Sequence, residues 1–165
     1  MFVTFESLPK NARVWVYQSN REFSKIESEK INESLMIFVN SWQRHGEDLK
    51  ASFRVKYNQF IVLAVDENVN EASGCSIDSS VRTIKLIEDE FNLDLMNKLN
   101  IAFRIGENIN TVSMMDFQNY LKEGKINSET IVFNNMVQSK EELNLNWEVP
   151  IHKSWHNRFL NLIKS

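Results

Sequence analysis

Phe60-Ile-Val-Leu-Ala-Val65 is apolar at every position, with Tyr57-Asn58-Gln59 before it and the oxygen-rich stretch from Asp66 to Ser73 after it. A strand with one wet face alternates, so a run without alternation predicts a central strand covered on both sides. Just upstream, Phe53, Val55 and Tyr57 alternate with Arg54 and Lys56, and Tyr57-Asn58-Gln59 turns that half-solvated strand into the central one as a hairpin. Just downstream, Ile77, Val81, Ile84, Ile87 and Phe91 recur at helical spacing with Lys85, Glu88 and Asp89 outside the stripe. That pattern predicts an amphipathic helix.

Further out, Arg13-Val-Trp-Val-Tyr-Gln-Ser19 is aromatic and β-branched and predicts a strand. Ser24 offers a cap for a helix from about Lys25 to Gln43, whose stripe is Ile31, Leu35, Phe38 and Trp42, ended by His45-Gly46. Ile101-Ala-Phe-Arg-Ile105 predicts a fourth strand. The order strand, helix, strand, strand, helix, strand is the ferredoxin-like βαββαβ arrangement, with both helices on one face of an antiparallel sheet. Beyond it come a turn at Gly106-Glu107-Asn108, a strand over Ile109–Ser113 and a Ser113-x-x-Asp116 capping box. The capped helix carries Phe117, Tyr120 and Leu121 and stops at Gly124; a strand at Thr130–Phe133 and a last helix around Ser154–Ile163 follow. The fold class expected is α+β: a ferredoxin-like unit over 1–105, with an α+β extension over 106–165 that is too short to stand alone and packs on it.

A chain of 165 residues, 42% hydrophobic, buries a core without staples. Its single cysteine excludes an intramolecular disulfide and suits a reducing compartment, so the cytoplasm is the expected location. Met1 to Lys10 lacks a basic region followed by an apolar stretch, and Phe60–Val65 is too short to span a bilayer, which argues against membrane insertion. A net charge of −3 spread along the chain argues against nucleic acid. Trp15, Tyr17, Phe53, Tyr57 and Phe60 could form a base-stacking face, but with thin flanking positive charge they read as core, or as a sheet face covered by the C-terminal segment with Trp147 and Trp155 as the natural covers.

The chemistry-bearing residues gather at Ala72-Ser-Gly-Cys-Ser-Ile-Asp78, where a buried strand delivers a loop to a helix start. Backbone N–H groups and a thiol meet there, which makes Ser73, Gly74, Cys75 and Ser76 the candidate ligand-binding residues. Cys75 is the candidate nucleophile, with His45 as its nearest histidine and Asp78 as the third catalytic candidate. Set against this, a lone cysteine is ordinarily a small packed hydrophobe, and that is the expectation here. Asp66, Asn68 and Asn70 imitate a calcium loop, but Glu71 stands where the turn glycine belongs and Ile77 where the bidentate glutamate belongs. His152 and His156 are four apart, as metal ligands on one helix face would be, yet Pro150 interrupts the start of that helix and a surface or cap pair is expected. No metal or cofactor is expected.

Taken together, Trp42-x-x-His45-Gly46, Asp48-Leu-Lys-Ala-Ser-Phe53, Phe60–Glu67, Ala72–Asp78, Thr130-Ile-Val-Phe-Asn-Asn135 and Ser154-Trp-His-x-Arg-Phe159 resemble a family of small bacterial proteins commonly labelled "ABC transporter ATPase". The resemblance spans nearly the whole chain and implies no particular functional residues. A P-loop needs two glycines five apart followed by Lys and Ser or Thr, and glycines at 46, 74, 106 and 124 do not supply it. Val112-Ser113 through Val132 is similar to GYF-like modules that recognise peptides, without their Gly-Tyr-Phe signature. The function expected is therefore a non-enzymatic interaction or regulatory protein with a protein partner, an assembly of identical chains being one form this can take. The competing class is an enzyme or small-ligand binder using the Ser73–Asp78 loop.

Overall fold

The computed structural model describes residues 1–163. After a 3-10 turn at Phe5–Ser7 come β1 (Arg13–Gln18), α1 (Lys25–Ser41), a short hairpin of β2 (Gln43–Arg44) and β3 (Glu47–Asp48), β4 (Ala51–Lys56), β5 (Phe60–Val65) and α2 (Gly74–Phe91). The second half holds β6 (Asn100–Ile105), β7 (Asn108–Ser113), α3 (Met114–Lys122), β8 (Ile131–Phe133), α4 (Lys140–Asn146), β9 (Glu148–Pro150) and α5 (Asn157–Ile163).

All six residues of β5 are 0% exposed, because it lies between β1 and β4 and is covered on both faces. Side chains alternate along a strand. Ile61, Leu63 and Val65 therefore share one core with Ile31, Leu35 and Val39 of α1 and with Ile84 and Ile87 of α2. Phe60, Val62 and Ala64 point the other way and pack with Ala102, Phe133 and Trp147. A third core joins Ile101, Phe103 and Val132 to Phe117, Leu121 and Phe159. The molecule is thus four layers deep: α1 and α2, the sheet β1-β5-β4, the sheet β7-β6-β8-β9, then α3 and α5. Fully burying each large aliphatic or aromatic side chain is worth about 1.5–3 kcal/mol, so the two faces of β5 hold the stack together.

The α+β class stands, and β1, β5 and β4 have the antiparallel pairing of the first three ferredoxin-like strands. The fourth strand corrects the expectation. β6 does not flank β1; it pairs along its whole length with β7 and meets β8 at Phe103↔Val132. The edge of β1 is bridged instead by the chain before α4, where the Val14 N–H donates to the Gln138 carbonyl at 3.0 Å. The reason is local: the two-residue turn Gly106-Glu107, with Gly106 at φ +61, offers β6 a neighbour at little loop-closure cost. Residues 105 and 106 lie at that hairpin's tip, inside the second sheet.

Helix α1 carries the expected cap as a full capping box between Ser24 and Glu27. The Arg21 guanidinium and the Ser24 N–H hold the Glu27 carboxylate down at about 2. The helix ends at Ser41, short of the predicted Gln43, since His45 and Gly46 take φ of 51 and 82 and close the β2–β3 hairpin. Among the described residues, no helix is long and apolar enough to cross a membrane.

Candidate functional site

At the start of α2 the polar groups are used internally. Ser73 caps the helix by accepting from the Ser76 N–H, the Ser76 hydroxyl donates to the Gln43 carbonyl at 2.8 Å, and the buried Trp42 indole donates to the Ser76 carbonyl at 2.8 Å. The loop before it is also bound: Asp66 accepts from the Asn68 N–H and lies 3.8 Å from Lys50, and Glu67 accepts from the Ala72 N–H. Of the residues that imitate a calcium loop, Asp66 closes a turn, Asn68 exchanges hydrogen bonds with the Asn11 carboxamide and Asn70 donates to Glu47.

Cys75 corrects the expectation of packing, because it is exposed. The inward residues of α2 are Ser76, Ser80, Ile84 and Ile87, which leaves Cys75 on the outer side of the first turn. Gly74, His45 and Asp78 are exposed as well. His45 sits at the tip of the β2–β3 hairpin, which the Ser76–Gln43 bond anchors to α2. No hydrogen bond among the described residues connects Cys75, His45 and Asp78, so a nucleophile, base and orienting group are not assembled.

The two late histidines separate. His152 is exposed and lies 3.2 Å from Glu129, whereas His156 is buried, bonds the Ser154 hydroxyl through Nδ1 at 2.6 Å and stacks on Trp155. Burial, with a contribution from Arg158, pushes His156 down to about 3. The expected surface or cap pair is thus half right. Trp147 covers Phe60 and Tyr57 as anticipated, while Trp155 belongs to the third core.

A second region, which the sequence does not single out, is a cleft of about 690 Å³ between Asn20–Glu22, the Tyr57–Gln59 turn, Arg104 and Glu107–Thr111. Its wall is held by an aromatic and ionic clamp. Tyr57 and Asn58 take left-handed φ of 55 and 50, a conformation that persists in such residues only where the surroundings enforce it. Here the Tyr57 ring stacks on Trp147 at 5.9 Å, lies under the Arg104 guanidinium at 4.7 Å and donates its hydroxyl to Glu148, which also accepts from Arg104. Burial and the Glu148 carboxylate raise the Tyr57 pKa. Gln59 then ties the turn across the layers to the Ser19 carbonyl and the Thr111 hydroxyl.

The opposite wall is β7, an edge strand. Ile105 and Asn108 flank a two-residue turn, so they are a hydrogen-bonded pair, and such pairs alternate along the ladder. The Met114 N–H donating to the Leu99 carbonyl at 3.0 Å keeps the same phase. Asn108, Asn110 and Val112 consequently spend their backbone groups on β6, and Ile109 and Thr111 aim theirs outward. Among the described residues no backbone group bonds that outer side. The other edges differ: β4 is bridged by Met1–Val3 at Ala51 and carries Arg54 and Lys56, β1 is bridged at Val14, and β9 has three residues including Pro150. Such coverings, charges and prolines are what keep sheet edges from pairing, and Asn108-Ile-Asn-Thr-Val-Ser113 has none of them.

Comparison with protein-family models, curated proteins and solved structures found no match to this chain.

Proposed function

We propose that this is a non-enzymatic interaction protein that accepts an extended segment of a protein partner along β7, adding a strand to the second sheet. The observation that carries the reading is the unspent outer backbone of Ile109 and Thr111 beside a preformed cleft. Main-chain hydrogen bonds supply affinity in strand addition, and flanking pockets supply specificity. The GYF-like resemblance over 112–132 points to the same class. It covers the end of β7, the Ser113-capped α3 and the start of β8, of which Val112 and Ser113 lie on the open strand. ATP hydrolysis is not part of the proposal: Gly124-Lys125 follows the C-terminal end of α3, where the helix dipole disfavours phosphate.

The test uses three capped eight-residue peptides in which lysine, serine or glutamate alternates with valine, with amide hydrogen exchange read residue by residue. Saturable protection of Ile109 and Thr111 by at least one peptide supports the reading. Protection by none of the three, or protection that rises with protein concentration alone and so reports a second copy of the chain, overturns it.

The exposed thiol favours one second reading, a small-ligand or enzymatic role for the Ser73–Asp78 loop. Alkylation of Cys75 that is slowed by a cell metabolite extract while the β7 amides stay unaffected would favour that reading over strand addition.

A further inference from the structure

We infer that the segment accepted by β7 is basic, an extension that rests on the strand-addition reading above. The charges that line the cleft are not balanced once internal partners are counted, and Lys56, outside that lining, lies over the Tyr57 ring at 5.1 Å. Arg21 is spent on both carboxylate oxygens of Glu27 and on the Phe91 carbonyl. Arg104 is spent on Glu148, on the Glu107 carbonyl and on the face of Tyr57. The carboxylates of Glu22 and Glu107, both exposed on the cleft, have no ion pair among the described residues.

The imbalance continues past the cleft. A neighbouring depression of about 580 Å³ shares Glu22 and Asn58 with it and adds Glu29 and Glu33 against a single cation, Lys25. The cleft beside β7 therefore carries the unpaired carboxylates of Glu22 and Glu107 together with neutral carboxamides from Asn20, Asn58 and Asn110. An extended segment repeats its side chains on one face about every 6.6–7 Å, so lysine or arginine at every second position presents a row of cations to this acidic lining while the backbone pairs with Ile109 and Thr111. An acidic segment would meet like charge at the same places. Exposed pairs are individually weak and salt-screened, so charge selects among segments that the backbone already holds.

The three peptides used above test this at about 0.05 and 0.5 M salt. The lysine peptide is expected to bind about tenfold tighter than the serine peptide at low salt and the glutamate peptide at least about tenfold weaker, with the spread collapsing at high salt. The double variant Glu22→Lys, Glu107→Lys, whose altered side chains are exposed and make no hydrogen bond or ion pair among the described residues, is expected to reverse the order. Equal binding of all three peptides with Ile109 and Thr111 protected would sink the charge inference and leave strand addition standing. Lysine-peptide binding without protection of those amides would also sink it, since it would be surface adhesion.

Discussion

The start of α2 and the outer edge of β7 are both polar and both exposed in part, yet they spend their hydrogen bonds differently. Around Ser73 and Ser76 the side-chain donors and acceptors meet partners on α2 itself or on the β2–β3 hairpin. Along β7 the side chains are neutral and the backbone of every second residue has no partner among the described residues. A polar cluster that satisfies itself is structure; a backbone row that does not is an invitation. The contrast teaches that hydrogen-bond accounting discriminates better here than the presence of a reactive residue type.

The strongest way to sharpen the contrast is Trp42→Ala. Trp42 is 2% exposed and holds the Ser76 carbonyl, so its truncation is expected to cost about 3–5 kcal/mol in urea unfolding. Trp42→Phe keeps most of the ring and removes one of two side-chain donors to the Ser76 carbonyl, the Ser79 hydroxyl remaining at 2.7 Å, for about 0.5–1.5 kcal/mol. A loss below about 1 kcal/mol for the alanine variant would mean that the α2 start is not fastened to the core.

A smaller effect shows that the second sheet also has closed polar features away from its edge. His156 is neutral when folded, with its pKa lowered from 6.5 to about 3. Between those values the unfolded chain binds a proton that the folded chain refuses, so its contribution is complete above pH 6.5 and is lost as pH falls toward 3. From pH 7 to pH 5 the loss is about 2 kcal/mol. Unfolding of His156→Gln at both pH values should lack that slope whatever its baseline; an unchanged slope would assign the pH dependence to carboxylates.

Next comes Cys75→Ser. Because the thiol is exposed, a stability change within about 0.5 kcal/mol and alkylation in the folded state are expected. Labelling that requires unfolding would break the contrast from the α2 side. The smallest perturbation is none at all: exchange on the unmodified protein should show Ile109 and Thr111 unprotected between protected Asn110 and Val112. Four uniformly protected amides would mean that the edge is already paired.

Much of this architecture is written in local patterns. The unbroken apolarity of Phe60–Val65 announces a strand covered twice, and Ser24 and Ser113 mark helix starts that the structure keeps. What local pattern does not carry is partnership. Ile101–Ile105 reads as a strand under any topology, and only the competition between the β1 edge and the nearby β7 decides where it pairs. Ser139-x-x-Glu142 carries the same cap signal at the start of α4, a helix too short to show a stripe of its own. The expectation that Cys75 is packed rests on the habit of lone cysteines and not on the α2 stripe, which already puts residue 75 opposite Ile77 and Ile84; what hydrophobicity does not announce is that Ser76 and Ser80 share the inner face, their hydroxyls bonded to carbonyls. The β7 cleft was illegible because its walls come from four separated segments.

The double burial of β5 also bears on how the chain folds and how it can be divided. The β4–β5 and β6–β7 hairpins are short-range and can form early, whereas β1 reaches β5 across the Arg13↔Val65 register only after α1 and β4 have been traversed. Until the second sheet arrives, Phe60, Val62 and Ala64 remain bare. Each sheet has a helix-covered core of its own, but separating them would bare the face they share, so the two halves are expected to melt as one cooperative unit, and a fragment cut at residue 105 would carry an apolar wall in search of a partner.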